Sequence, residues 1–201
     1  GATYTNLTNN GDIYIDGNTV DRENSYIGGI AGQVDLDMKD CENNGTVTHT
    51  CTQNPIKIDT NGKTSTSRFD VGGLVGQLKA TAGSYEINIV NCLFKGHVTC
   101  VSKNTYNYGV AAGIVGSSNN GATMDKTNLV NCVALVDGIS FNTSATAAGF
   151  GGLIGYAKHT DTYASYTNLE IADIVSQEGK AIAEYSSLKN WGALFGLGHG
   201  D

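Results

Sequence analysis

A five-residue phrase recurs along the chain: Gly28-Gly-Ile-Ala-Gly32, Gly72-Gly-Leu-Val-Gly76, Ala112-Gly-Ile-Val-Gly116, Gly151-Gly-Leu-Ile-Gly155 and Gly192-Ala-Leu-Phe-Gly196. Its central aliphatic falls at Ile30, Leu74, Ile114, Leu153 and Leu194, so successive copies lie 44, 40, 39 and 41 residues apart. A fixed period of this size marks an array whose units bury their apolar faces only against their neighbours. Length alone, 201 residues, suits one or two globular domains. The repeat makes it one continuous array instead. Its units run approximately 1–26 (partial), 27–69, 70–109, 110–148, 149–189 and 190–201 (partial).

A second phrase follows the first: Asp40-Cys-Glu-Asn-Asn-Gly45, Asn91-Cys-Leu-Phe-Lys-Gly96 and Asn131-Cys-Val-Ala-Leu-Val-Asp-Gly138. Asn6-Leu-Thr-Asn-Asn-Gly11 reads as an early copy and Asn168-Leu-Glu-Ile as a worn late one. Equivalent positions then give a ladder of Leu7, Cys41, Cys92, Cys132 and Leu169. The glycine closing each phrase is expected to supply positive φ at a corner between two strands. Beyond it the sequence alternates, with Ile13 and Ile15; Val47, His49 and Cys51; Val98, Cys100 and Ser102; and Ile139 and Phe141 pointing inward. The Gly-Gly phrase is apolar at both parities, as in a parallel strand covered on both faces.

These periods predict an all-β chain. Gly at 27 residues with one Pro, beside abundant Thr, Asn and Ser, fits short strands and tight turns. The architecture expected is a parallel β-helix (β-solenoid) of about five rungs, right-handed by the usual crossover preference. A five-bladed β-propeller is the alternative, since units near 40 residues suit a four-stranded blade. The chain starts and stops in mid-unit with no polar cap at either end, so a segment of a longer array is expected.

Gly-Gly-Leu-Val-Gly followed by Asn-Cys-x-x-x-Gly-x-Val resembles the Gly-Leu-hydrophobic-Gly (GLUG) repeats of large secreted or surface proteins. The resemblance covers Asn6 to Gly196, with units longer than the family's compact copies. It implies an extracellular or cell-surface repeat region that spaces or displays other parts, and it carries over no catalytic residue.

The formal net charge of −7 argues against nucleic acid, which needs a basic stripe to displace counterions. No run of 18 apolar residues occurs, so no membrane-embedded helix is expected. Asn6, Asn44 and Asn142 each begin an Asn-x-Thr/Ser acceptor for glycosylation.

Two residue sets have the chemistry of metal ligands. His49, Cys51 and Cys100 lie on one inward face in adjacent units and offer three soft donors to zinc, but a fourth ligand is missing and a packed core explains the same pattern. Asp35, Asp37 and Asp40 form a loose calcium set without the Gly and terminal Glu of an EF-hand loop; solvated loop acids are the plainer reading. No cofactor is expected. Cys41, Cys92 and Cys132 read as reduced core thiols, because stacked parallel Cβ vectors suit a disulfide poorly. With no acid column and no nucleophile-base spacing, the function expected is a non-enzymatic stalk, adhesin or filament segment, its partners a surface protein, a glycan or further copies of itself. A carbohydrate-active or glycan-binding β-helix is the alternative, since paired carboxylates can meet in space without meeting in sequence.

Overall fold

A computed structural model describes residues 3–16, 25–51, 57–58, 64–65, 68–79, 86–102, 108–118, 126–141, 147–176, 179–180 and 190–199. The described chain is all-β, with one 3-10 turn at Ile171–Asp173 and no α-helix. All but two short strands fall into four parallel sheets. Sheet I holds Thr3–Thr5, Asp37–Lys39, Glu86–Val90, Lys126–Val130 and Thr160–Tyr163. Sheet III holds Ser25–Gly28, Arg68–Gly72, Tyr108–Ala112, Ala147–Gly151 and Trp191–Gly192. Sheet IV holds Ala31–Val34, Val75–Leu78, Val115–Ser117, Ile154–Lys158 and Phe195–His199. The eight-stranded sheet II takes Leu93–Ser102 and Val133–Phe141 as long strands, and its other three contributions are each split in two.

Neighbours in every sheet come from successive repeats. Residues 3–34, 37–78, 86–117, 126–158 and 160–199 each give strands to all four sheets. Gly72 pairs with Gly28 on one side and Ala112 on the other, and Ala112 pairs with Gly151, which pairs with Gly192. Parallel pairing between units differs from the antiparallel pairing inside one unit that a propeller blade requires. The one antiparallel pair described joins Lys57–Ile58 to Thr64–Ser65.

The Gly-Gly phrase is not a single strand. It is a bend between sheets III and IV, at residues 29–30, 73–74, 113–114, 152–153 and 193–194. The bends are themselves bonded from level to level: the N–H of Ile30 donates to Leu74 O (3.0 Å), Leu74 to Ile114 O (3.1 Å), Ile114 to Leu153 O (3.2 Å) and Leu153 to Leu194 O (3.0 Å). Bending buries both parities, so Leu74 and Val75, Ile114 and Val115, and Leu153 and Ile154 are all in the core. Each such side chain removed from water is worth about 1.5–3 kcal/mol. The close approach that demands glycine comes from the chain itself. A Cβ on Gly76 would strike the backbone of Ile27 and Gly32, and one on Gly73 would strike Gly113 O and the Phe94 ring.

The alternating segments turn inward as their pattern requires. Val47, His49, Val98, Cys100, Ile139 and Phe141 are all buried. Positive φ sits at the closing glycines Gly96 and Gly138, at 148 and 157°, but not at Gly11 and Gly45. It also falls on Asn6, Asp40, Asn91, Asn131 and Ala164, at φ 56, 54, 52, 54 and 47°. Asn and Asp tolerate the left-handed region because their short polar side chains bond locally. The early corners are instead closed by side chains: Asn9 Oδ1 accepts the N–H of Gly11 (3.1 Å) and Asn43 Oδ1 that of Gly45 (3.1 Å). At Gly96 and Gly138 there is no break at all. Both lie within long strands, and a bulge leaves Asp137 unpaired, so His97 faces Gly138.

Candidate functional site

Cys41, Cys92 and Cys132 do stack. Backbone N–H groups of Glu42, Leu93 and Val133 donate to Leu7 O, Cys41 O and Cys92 O, at 2.8, 2.9 and 2.9 Å, so these positions succeed one another level by level. All three thiols are free and buried. Cys41 Sγ donates to Lys39 O (3.3 Å) and Cys92 Sγ to Val90 O (3.3 Å), the carbonyl two residues back in each case. Burial pushes the Cys41 thiol above its usual range. Between the neighbouring sulfurs, hydrogen bonding together with burial pushes Cys92 up, and the same bond pulls Cys132 down. The raised Cys41 and Cys92 thiols are poor nucleophiles, and burial shields all three from reagents.

The fifth place in that column belongs to Ser165, not Leu169. Val133 pairs with Tyr166, which sets Ser165 beside Cys132, and Ser165 Oγ donates to Tyr163 O (3.1 Å), again two residues back. Leu169 is buried elsewhere. The lookalike Asn168-Leu169 follows the true position by four residues, and Asn168 Oδ1 caps the N–H of Val136 instead (2.7 Å). Ser165 was invisible because Ala164-Ser165 shares no letter with Asn-Cys; its signal is a small polar side chain able to repeat the thiol's hydrogen bond.

His49 and Cys100 are directly paired across sheet II, as their spacing predicted, and Cys51 pairs with Ser102. The Cys51 side chain lies outside the described residues. The His49 ring stacks on Phe69 with centroids 4.4 Å apart, and both ring nitrogens are buried without a hydrogen-bond partner. Burial lowers its pKa from 6.5 to about 4, against a smaller upward pull from Asp16. This is a neutral imidazole held as an aromatic core residue. Among the described residues no group of three His, Cys, Asp or Glu side chains is placed to hold a metal ion.

The aspartates do not converge as a calcium loop does. Asp37 Oδ1 accepts the N–H of Asn88 (2.8 Å) and its Nδ2 (3.3 Å). Asp40 Oδ1 accepts Asn91 Nδ2 (3.0 Å). Asp35 is half-buried in the link before Asp37. Both bonded carboxylates tie one level to the next. Amides continue these two files, with Asn128 Nδ2 donating to Asn88 Oδ1 (2.9 Å) and Asn131 Nδ2 to Asn91 Oδ1 (2.9 Å). Elsewhere Asp12 Oδ1 accepts the N–H of Thr46 (2.7 Å), Lys95 Nζ meets Glu42 at 3.1 Å, and Lys126 Nζ meets Asp161 at 2.7 Å.

Of the glycosylation candidates, Asn6 and Asn44 are exposed. Asn44 Nδ2 donates to Asn10 Oδ1 (2.9 Å). Asn142 lies outside the described residues. No helix among the described residues is long and apolar enough to cross a membrane. Comparison with protein-family models, curated proteins and solved structures finds no match to this chain.

Proposed function

We propose that the chain winds as a right-handed parallel β-helix and serves as a non-enzymatic structural or adhesive segment at a cell surface or outside the cell. The carrying observation is the use made of its polar side chains. Asp12, Asp37, Asp40, Glu42 and Asp161 each hold a group on another level. Side chains spent as ties between levels build a rigid spacer, whereas a hydrolase needs two carboxylates aimed at a common bond. The resemblance to GLUG repeats supports the same reading and the extracellular placement. In a β-helix the four sheets are successive faces of one coil, and the right hand follows from the crossover preference of parallel strands.

The test is a screen of the purified chain against soluble polysaccharides, with reducing-end release as the readout, beside a glycan array. Unchanged polysaccharide is expected throughout. Turnover that survives repurification overturns the proposal; selective glycan binding without turnover narrows it to adhesion.

A further inference from the structure

At the corner between sheets I and II most side chains point outward. Asn91 and Asn131 take the left-handed conformation there, at φ 52 and 54°, and both are exposed. The cysteine that follows each is buried, while Val90 and Leu93, like Val130 and Val133 in register with them, are only half-buried. On the next repeat Tyr163 pairs with Val130 and Tyr166 with Val133, and the two tyrosines are 49% and 57% exposed. Two apolar files therefore cross the repeats on the outer surface, with the carboxamides of Asn91 and Asn131 between them. Both amides belong to inner repeats with a neighbour on either side, so their exposure does not depend on where the chain starts or stops.

We infer that this strip binds a neutral polysaccharide chain laid across the repeats. The inference rests on the adhesive reading above and deepens it by naming the partner. Hydrogen-bonding capacity is the first argument. Asn131 Nδ2 donates to Asn91 Oδ1 (2.9 Å) and Asn91 Nδ2 to Asp40 Oδ1 (3.0 Å). A primary amide has two N–H donors and two acceptor lone pairs, so each exposed amide keeps capacity of both kinds. That capacity recurs at the strand spacing of about 4.8 Å, and sugar hydroxyls, which donate and accept, satisfy it along a chain. A purely apolar partner would bury the amides without replacing their water. The second argument is a pre-set aromatic surface. The Tyr163 hydroxyl donates to Asp161 Oδ2 (2.9 Å), which also meets Lys126 Nζ (2.7 Å), so the ring is held along its own strand. A ring held in advance loses little freedom on binding, and the C–H face of a pyranose is a flat apolar surface for it to stack on. Charge is the third. Beside the strip Lys39 lies 3.8 Å from Asp40, Lys95 3.1 Å from Glu42 and Lys126 2.7 Å from Asp161, so these charges pair with one another although the chain carries −7. Such a strip offers a charged polymer no complementary field.

The test is affinity electrophoresis of the full chain in native gels holding a soluble β-glucan, β-xylan or β-galactan, with polygalacturonate as the charged comparison. Retardation by at least one neutral polymer, insensitive to added salt, is expected, and none by polygalacturonate. Tyr163→Ala and Tyr166→Ala should each weaken binding about tenfold, as truncation of a central aromatic contact does. Asn131→Gly, which keeps the left-handed backbone, should weaken it as well. Tyr14→Ala, at a tyrosine 65% exposed elsewhere on sheet II, should leave it unchanged. Urea midpoints close to the parent confirm that each variant folds. A parent that no neutral polymer retards, retardation by polygalacturonate alone, or binding undiminished in both Tyr163→Ala and Tyr166→Ala overturns the inference. So does self-association of the parent that those two variants abolish, since a second copy would then occupy the strip. Each of these failures leaves the non-enzymatic reading standing, which only turnover overturns.

Discussion

The sharpest consequence of the fold concerns His49, whose imidazole is buried with neither nitrogen bonded. An unsatisfied buried polar group costs about 1–3 kcal/mol. His49→Phe removes the donor and the acceptor together and retains the aromatic stack on Phe69, so a gain of about 1–3 kcal/mol at pH 7 is expected, even though the substitution deletes a polar group. In a chain of this length each 1 kcal/mol moves the melting temperature by about 2–4 °C. The pH dependence is more specific. The folded pKa is lowered from 6.5 to about 4, so the unfolded chain takes up the proton first. His49 therefore costs nothing further above pH 6.5, and stability is lost as pH falls from 6.5 toward 4. At about 1.4 kcal/mol per pH unit the loss totals about 3 kcal/mol over that window. Urea titrations of both proteins at pH 7.0 and 4.5 read it out. The carboxylates titrate in both, so the difference between the two pH dependences isolates the imidazole, and His49→Leu checks for overpacking by the larger ring. A variant less stable than the parent at pH 7, with the parent equally weakened by a zinc chelator, would show that His49 is a ligand and refute the reasoning.

Gly73→Ala should destabilise by at least about 1–3 kcal/mol in urea, because the new methyl meets Gly113 O and the Phe94 ring, both fixed in the core. Asn91→Val should cost about 1–2 kcal/mol, since a β-branched residue is forced to φ 52°, whereas Asn91→Gly relieves the backbone and loses only the amide bonds; thermal melts of the pair separate the two effects. Cys41, Cys92 and Cys132 should resist a thiol-specific disulfide reagent in the native protein and react promptly in urea, and native reaction at those positions by peptide mapping would contradict their burial.

Much of the register was legible because the repeated phrases carry it. Val47, Val98 and Ile139 align from sequence spacing alone, and so do His49 and Cys100. Apolar residues of period two can face the core in only one way, so the inward set followed from the pattern. Positive φ was placed rightly at Gly96 and Gly138 but wrongly at the two early corners. Asn-Gly suggested left-handed turns at Gly11 and Gly45, but the left-handed residue is the Asn or Asp before each Cys, and both residue types suit either role. The readable signal was that an Asn or Asp precedes Cys41, Cys92 and Cys132 alike. The Gly-Gly phrase misled for another reason: apolar character on both parities describes a strand buried on two faces as well as a bend that turns both into one core. Of the two residues by which Cys132 to Gly138 exceeds Cys92 to Gly96, a bulge at Asp137 supplies one, and the other arises because Gly138 pairs with His97 while Gly96 pairs with Val136. The isolation of the His49 nitrogens depends on every neighbour in three dimensions.

The levels are alike in shape but not interchangeable, and the reason is chemical direction. In both amide files each Nδ2 donates toward the preceding level, from Asn128 to Asn88 and from Asn131 to Asn91. A file with that polarity needs an acceptor at its start, and the carboxylates of Asp37 and Asp40 fill that place. At the other end Asn128 Oδ1 is buried without a partner, because the residue opposite is Asp161, which accepts from Tyr163 and Lys126 and has no proton to give. Asp161 thus restarts the pattern as a fresh accepting end on the last level.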